Sequence, residues 1–322
     1  MPSRRKSTIK ELQIKLTAFL SRNQHCDKDI YFNVQHTLDI GERMALKKAL
    51  SQLCFPARIP IREVISLAHK AEFDGVEFKT SIEGDINFNA SREDLKKIYN
   101  MLKDFNLETA SVSNGANWTF PLTSPDESIR MKGIEYAKKT VEIAYHLEAN
   151  AILLVPGNVT EDIRYDMAWN LSLDSVIAIG KHALNYGVTV AVEEVWNKLI
   201  LTPLEMERFI KEANEAIGEE IVGVYFDTAN IIPFGYPDHW ILYLKDKIKR
   251  VHVKDFKVER PGMVYTVLPP YGSVNWPKVM KALKDIGYES YLTAEIPVSQ
   301  LAKETTAKYI SMIIDDLIKL AW

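Results

Sequence analysis

The sequence predicts an α/β protein of the (β/α)8 type, a TIM barrel with an N-terminal extension. Three observations predict it. Eight short β-rich runs alternate with amphipathic helical stretches from about residue 46 onward. Roughly 275 residues hold the eight pairs, which is the size of one such barrel. No Pro/Gly/Ser-rich linker breaks the rhythm. A doubly wound open sheet is the rival, but it usually carries fewer strands per domain, so the even beat favours closure.

The first β-type run is Ala49–Phe55, and a helix over Ile61–Ala71 follows Pro60. Gly75–Lys79 leads to Ser91–Phe105, whose Ser-Arg-Glu-Asp opening offers an N-cap and first-turn acids. Glu108–Ser113 leads to Pro125–Leu147, which opens after Thr123 and Ser124. Ala151–Val155 precedes Tyr165–Tyr186, and Thr189–Val195 precedes Pro203–Ala216. After Ile221–Asp227 the stretch Asp238–Lys247 leaves room for only a short helix. Arg250–Lys254 is followed by Trp276–Ile286, and Ser290–Ile296 by Lys303–Leu320.

Residues 1–43 fall outside this rhythm, giving an extension over 1–43 and a barrel over 44–322. Ile9, Leu12, Leu16 and Phe19 share a helical face, with Thr8 and Glu11 at capping-box spacing. Leu12, Ile14 and Leu16 also alternate as a strand would. The extension is expected to be frayed or loosely docked. A sharper expectation is that native translation begins at Met44. Gly41-Glu42-Arg43 is what a purine-rich ribosome-binding site would encode if translated.

Composition narrows the function. The 322 residues are 47% hydrophobic and 26% charged, as in an ordinary globular protein. Lys and Arg number 40 against 43 Asp and Glu, a net charge of -3 that disfavours a nucleic-acid binder. No apolar run reaches the ~18–20 residues of a membrane span. The basic start Met-Pro-Ser-Arg-Arg-Lys is not followed by an uninterrupted apolar region, so no secretory signal is expected. Cys26 and Cys54 form neither a disulfide framework nor a metal knuckle, which points to the cytoplasm.

Barrel enzymes carry their active sites at the C-terminal ends of the strands. Four consecutive runs end there in chemistry that a strand has no packing reason to hold: Glu193, Asp227, His252 and Glu295. Three carboxylates and an imidazole would repel one another without a cation between them. Hard oxygen ligands with one nitrogen suit Mn²⁺ or Mg²⁺, with Co²⁺ or Zn²⁺ as alternatives. Taken singly each residue has a plainer reading. Glu194 is expected to be a helix cap or salt-bridge partner, and Glu77 a buried charge inside the barrel. His69, His146 and His182 lie in helical stretches, His25 and His36 in the extension, and His239 opens the short helix. Lys254 shares the strand face of His252, and Asp255 is a candidate to orient a ligand from behind. Phe55, Trp118, Phe120 and Trp196 could wall a pocket. Asn114, Asn197, Lys198, Asn230 and Lys254 could hydrogen-bond the hydroxyls or phosphate of a bound ligand.

These stretches resemble the sugar isomerase/epimerase superfamily with the xylose-isomerase-like barrel. The likeness rests on Phe73-Asp74-Gly75-Val76-Glu77, Val155-Pro156-Gly157 and Glu193-Glu194-Val195-Trp196-Asn197-Lys198. It continues through Phe226-Asp227-Thr228-Ala229-Asn230, Val251-His252-Val253-Lys254-Asp255, Gly272-Ser273-Val274-Asn275-Trp276 and Thr293-Ala294-Glu295. The resemblance implies one divalent ion on Glu193, Asp227, His252 and Glu295, with Glu193 and Glu295 doubling as acid and base. It implies a sugar or sugar phosphate as partner, and proton abstraction next to a carbonyl through an enediolate stabilised by the ion. Both an epimerase and an aldose–ketose isomerase fit, as does a homo-oligomer. Three departures from the ketose 3-epimerases stand out: Asn230 in place of a His, Val258 in place of an Arg, and Leu199 in place of an acid. They leave the metal chemistry intact and the substrate open. The rival enzyme is a lyase of the inosose-dehydratase kind, with an endonuclease or a non-catalytic sugar-binding barrel further behind.

Overall fold

Eight parallel strands close on themselves. They are β1 (Lys47–Ser51), β2 (Gly75–Lys79), β3 (Glu108–Ser113), β4 (Ala151–Leu154), β5 (Thr189–Glu193), β6 (Val222–Asp227), β7 (Ile248–Val253) and β10 (Tyr291–Ala294). β1 to β7 pair in sequence order, and β10 sits between β7 and β1. This computed structural model describes residues 46–56, 58–260, 262–296 and 302–322, so the expectations for residues 1–43 fall outside it. The closed ring settles the choice between a barrel and an open sheet.

Eight helices follow the strands: α1 (Ile61–Lys70), α2 (Arg92–Asp104), α3 (Glu127–His146), α4 (Tyr165–Ala183), α5 (Pro203–Ile217), α6 (Pro237–Leu244), α7 (Trp276–Asp285) and α8 (Lys303–Ile318). Local chemistry sets their starts. Ser91 accepts the Asp94 N–H at α2, Asp126 those of Ser128 and Ile129 at α3, and Asn275 that of Lys278 at α7. At α5, Thr202 and Glu205 form a reciprocal capping box, with Pro203 in the first turn. Among the described residues no helix is long and apolar enough to cross a membrane.

Two elements differ from the sequence reading. The first strand starts earlier and stops at Ser51, and Gln52–Cys54 forms a 3₁₀ turn. The Ser51 hydroxyl accepts the Leu53 N–H at 3.1 Å, which draws the backbone out of the ladder. Lys47 and Lys48 can open the strand because each finds an acid, Glu108 at 2.6 Å and Asp315 at 2.7 Å. The second difference is an antiparallel hairpin, β8 (Asp255–Arg260) with β9 (Met263–Val267), inserted after β7. Its alternating apolar residues and Gly262 at φ +83° are hairpin signals that the barrel rhythm obscured.

Odd and even residues of each barrel strand face opposite ways. One set packs outward under the helices: Val190, Val192, Val224, Phe226, Val251, Val253, Leu292 and Ala294 are all buried in the main core. The other set faces the barrel axis, and there the filling is partly polar. Ser51, Glu77, Ser111, Tyr225, His252 and Thr293 are each completely buried.

Candidate metal centre

The inward parity of four neighbouring strands ends in the four residues singled out above. Glu193 closes β5, Asp227 closes β6, His252 lies one residue before the end of β7, and Glu295 follows β10 directly. Strand register aligns them: Asp227 pairs with His252, and His252 with Thr293. One ligand atom from each of the four lies within 4.8 Å of all the others. His252 Nδ1 is 3.1 Å from Glu193 Oε1, 3.4 Å from Glu295 Oε2 and 3.9 Å from Asp227 Oδ2. Glu193, Asp227 and His252 are buried, and Glu295 is partly open to the mouth.

Hydrogen bonds orient each donor. Asp227 Oδ1 accepts the backbone N–H groups of Ala229 and Asn230 at 2.7 and 2.8 Å. That turn leaves Oδ2 buried without a directed hydrogen bond, although Lys254 Nζ stands 3.0 Å away at a poor angle. His252 is held from the other side: its Nε2 meets Glu77 Oε1 at 2.9 Å, so Nδ1 faces the carboxylates. Glu77 is saturated, accepting also from Ser51 and Ser111 at 2.7 Å each and from Tyr225 at 2.6 Å.

The charges respond to this crowding. Burial raises Glu193 to about 7; the His252 hydrogen bond and charge oppose the rise, and the negative charges of Glu295 and Asp227 add to it. Burial would lower His252, but the charges of Glu77 and Glu295 override it and hold the imidazole well above its usual range. Burial would likewise raise Glu77, yet the His252 charge and the donors around it bring the carboxyl down to about 2. Lys254 is pushed up: Asp227 and Glu295 more than offset the cost of burying it. The donor set fits a divalent ion. Ligands at about 2.1 Å from such an ion sit roughly 3–4 Å apart, near the spacing here, and Asp227 Oδ2 is buried in the cluster without a directed hydrogen bond.

A cavity of about 200 Å³ opens over Glu193 and Glu295. Lys79, Asn114, Trp118, Asn230 and Lys254 contribute to its wall. Larger cavities border the N-terminal ends of the strands and the α7–α8 side, but none of them touches these carboxylates, so chemistry and not size selects this one.

Several residues stand where the sequence did not put them. Asn197 is buried away from the cavity: its amide donates to Gly157 at 2.7 Å and accepts the Leu199 N–H at 3.2 Å, stapling the loop after β5. Lys198 is exposed at φ +62° and does not line the cavity. Trp196 donates its indole N–H to Asn230 O at 2.7 Å and packs on Phe256 beside the cavity wall. Asn230 lines the cavity, but its amide N–H is committed to Glu194 O at 2.9 Å. Asp255 has the opposite parity to His252, so it orients no ligand. Its carboxylate gathers Gly272, Val274 and Trp276 at 3.0–3.2 Å, and a Cβ on Gly272 would fall 1.9 Å from it. Glu194 neither caps a helix nor forms an ion pair; it accepts the Asp227 N–H at 2.7 Å and is raised well above the carboxylate range by burial and by Asp227. Phe55 packs in the core and Phe120 against Tyr136. The residue the sequence undervalued is Glu77. An acid at inward parity in the otherwise apolar Gly75-Val-Glu-Phe was the available signal.

Comparison with known proteins agrees with this architecture. The family model described as xylose isomerase-like TIM barrel matches residues 65–314. The L-ribulose-5-phosphate 3-epimerase UlaE of Escherichia coli is 25% identical over 259 residues, covering 75% of this chain and 86% of that one. A crystal structure of the IolI protein with a bound zinc atom superposes with a TM-score of 0.72 at 17% identity, over 86% of this chain and 99% of that one. D-psicose 3-epimerase with D-tagatose from Clostridium cellulolyticum H10 gives 0.65 at 20% identity, over 86% and 96%. The family match spans most of the barrel, and the chain belongs to the xylose isomerase-like TIM barrel family.

Proposed function

We propose that this protein is a divalent-metal-dependent isomerase of sugars or sugar phosphates, moving a proton next to a carbonyl. The observation that carries the reading is the convergence of Glu193, Asp227, His252 and Glu295 within one ion's reach at the barrel mouth. Its similarity to a protein named as an L-ribulose-5-phosphate 3-epimerase supports the same class. Mn²⁺ is the preferred ion for three carboxylates and one imidazole, with Mg²⁺, Co²⁺ and Zn²⁺ as alternatives. When bound, the ion supplies Lewis-acid stabilisation of the negative charge that develops on the substrate's oxygens.

The chain's own groups do the rest. Asp227 and His252 hold the site from beneath, each fixed by its own hydrogen bonds. Glu193 and Glu295 lie on strands separated by β6 and β7, so their carboxylates approach the cavity from different sides. One takes the proton and the other returns it; return to the opposite face gives an epimer, and return to the neighbouring carbon gives an isomer. Trp118, Asn114 and Asn230 line the wall a substrate would meet, the two amides being tied in part to Asn117 and Glu194. Asn230, Val258 and Leu199 argue against carrying over the substrate of the ketose 3-epimerases unchanged. The test is a screen of ketoses and their phosphates with Mn²⁺-loaded protein in D₂O, read by NMR. Deuterium entering at carbon next to the carbonyl, with an epimer or isomer formed, is the expected result. Loss of water from the substrate would make the protein a lyase, and no exchange with any substrate would overturn the proposal.

A further inference from the structure

The carboxylate cluster holds a cation of the chain's own. Lys254 Nζ lies 2.6 Å from Glu295 Oε2 and 3.0 Å from Asp227 Oδ2, two of the atoms that face His252 Nδ1. The placement is built in. Lys254 continues β7 two residues beyond His252 and so shares its inward face. Its backbone is clamped to the end of β6, donating to Thr228 Oγ1 at 3.1 Å while its carbonyl accepts from that hydroxyl at 2.8 Å. Its side chain is only 12% exposed, too enclosed for a casual surface ion pair. Buried charges that lose their partner are costly, so a cation at this point stabilises a cluster that would otherwise be strongly repulsive.

We propose that Lys254 is an internal counter-cation that holds the Asp227–Glu295 side of the site together in the metal-free protein, and that a divalent ion binds by displacing its ammonium group. The proposal rests on the reading of these four residues as a metal site. Two positive centres cannot share the same carboxylate oxygens at these distances without strong repulsion. The displaced ammonium has room to move, because Lys254 itself lines the cavity that opens over Glu193 and Glu295. The apparent metal affinity of the native protein is therefore a competition, and the lysine sets how tightly an ion must bind to open the site. The same displacement would leave a mobile cation beside the substrate once the metal is in place.

Calorimetric titration of metal-free wild-type protein and Lys254→Met with Mn²⁺ tests this without any activity assay. Met keeps the reach of the stem and removes the charge. The expected result is a Kd at least tenfold lower for the variant, with its metal-free form melting below the wild type. Equal or weaker Mn²⁺ binding by a folded Lys254→Met overturns the displacement while leaving the metal site standing. Absence of binding by both proteins overturns the metal site and this inference together. A second measurement avoids reliance on that variant's folding. In ¹⁵N-lysine-labelled wild type, the Lys254 ammonium should give a slowly exchanging signal, assigned by its loss in Lys254→Arg. Saturating Mg²⁺ or Zn²⁺ should abolish it, and a signal unchanged by bound metal overturns the proposal.

Discussion

Glu193 and Glu295 each offer a carboxylate to the same cluster as Asp227 and His252, yet the four are not equivalent. Glu to Gln keeps an oxygen that can coordinate and removes the base. Glu193→Gln and Glu295→Gln should therefore retain most of their bound metal and lose about 10²–10⁴-fold in turnover. Asp227→Ala and His252→Ala should lose the metal and the activity together. Metal content of the purified variants beside their rates separates the two groups, and wild-type turnover in both Gln variants would remove the two-carboxylate mechanism. Behind them, Glu77 fixes which imidazole nitrogen faces the site. Glu77→Gln should weaken metal binding by about 10–100-fold, since outer hydrogen-bond partners typically contribute that much. Glu77→Ala should also cost about 3–5 kcal/mol of stability, because it strips a buried pair of one member. Titration with Mn²⁺ and urea denaturation check the two effects separately.

At the scale of elements, the connections after β5 to β7 determine how firmly the site is held. The loop from Trp196 to Thr202 is stapled by Asn197 and delivered into α5 by the Thr202–Glu205 capping box. Thr202→Ala removes one side of that box and should cost about 1 kcal/mol, read as a shift of the urea midpoint with unchanged slope. The hairpin β8–β9 and the turn before α7 are joined through Asp255, whose carboxylate binds three N–H groups of the segment 272–276. The start of α2 was legible because capping is local: Ser91 acts within three residues of itself, whereas α3 is capped by Asp126 and not at Thr123 or Ser124. The hairpin was legible in principle, through its alternation and Gly262, but a reading tuned to one strand per helix passes over two strands in a row.

At the scale of the whole molecule, the eight barrel strands and the eight helices found among the described residues lie within Leu46–Trp322, which is one compact unit. A protein begun at Met44 should therefore fold with a melting temperature within a few degrees of the full chain and bind Mn²⁺ as tightly. Insolubility or a markedly lower melting point would show that residues before Met44 complete the fold.

The sequence by itself determined the barrel and the four strand-end residues. Both follow from short-range rules: apolar periodicity distinguishes strand from helix, and strand parity fixes which residues face inward. Partnership across the closed ring was decided only by tertiary structure. Glu77 and His252 stand 175 residues apart on strands that are not neighbours, and they meet because closure points both at the axis. Lys254 has the same parity as His252, which the sequence shows, but no local rule says that its ammonium lies between Asp227 and Glu295 and not against a substrate. Asn197 and Asp255 read as site residues for the same reason in reverse. Their positions were right, but long-range backbone partners, Gly157 for one and the 272–276 turn for the other, had already claimed their hydrogen bonds.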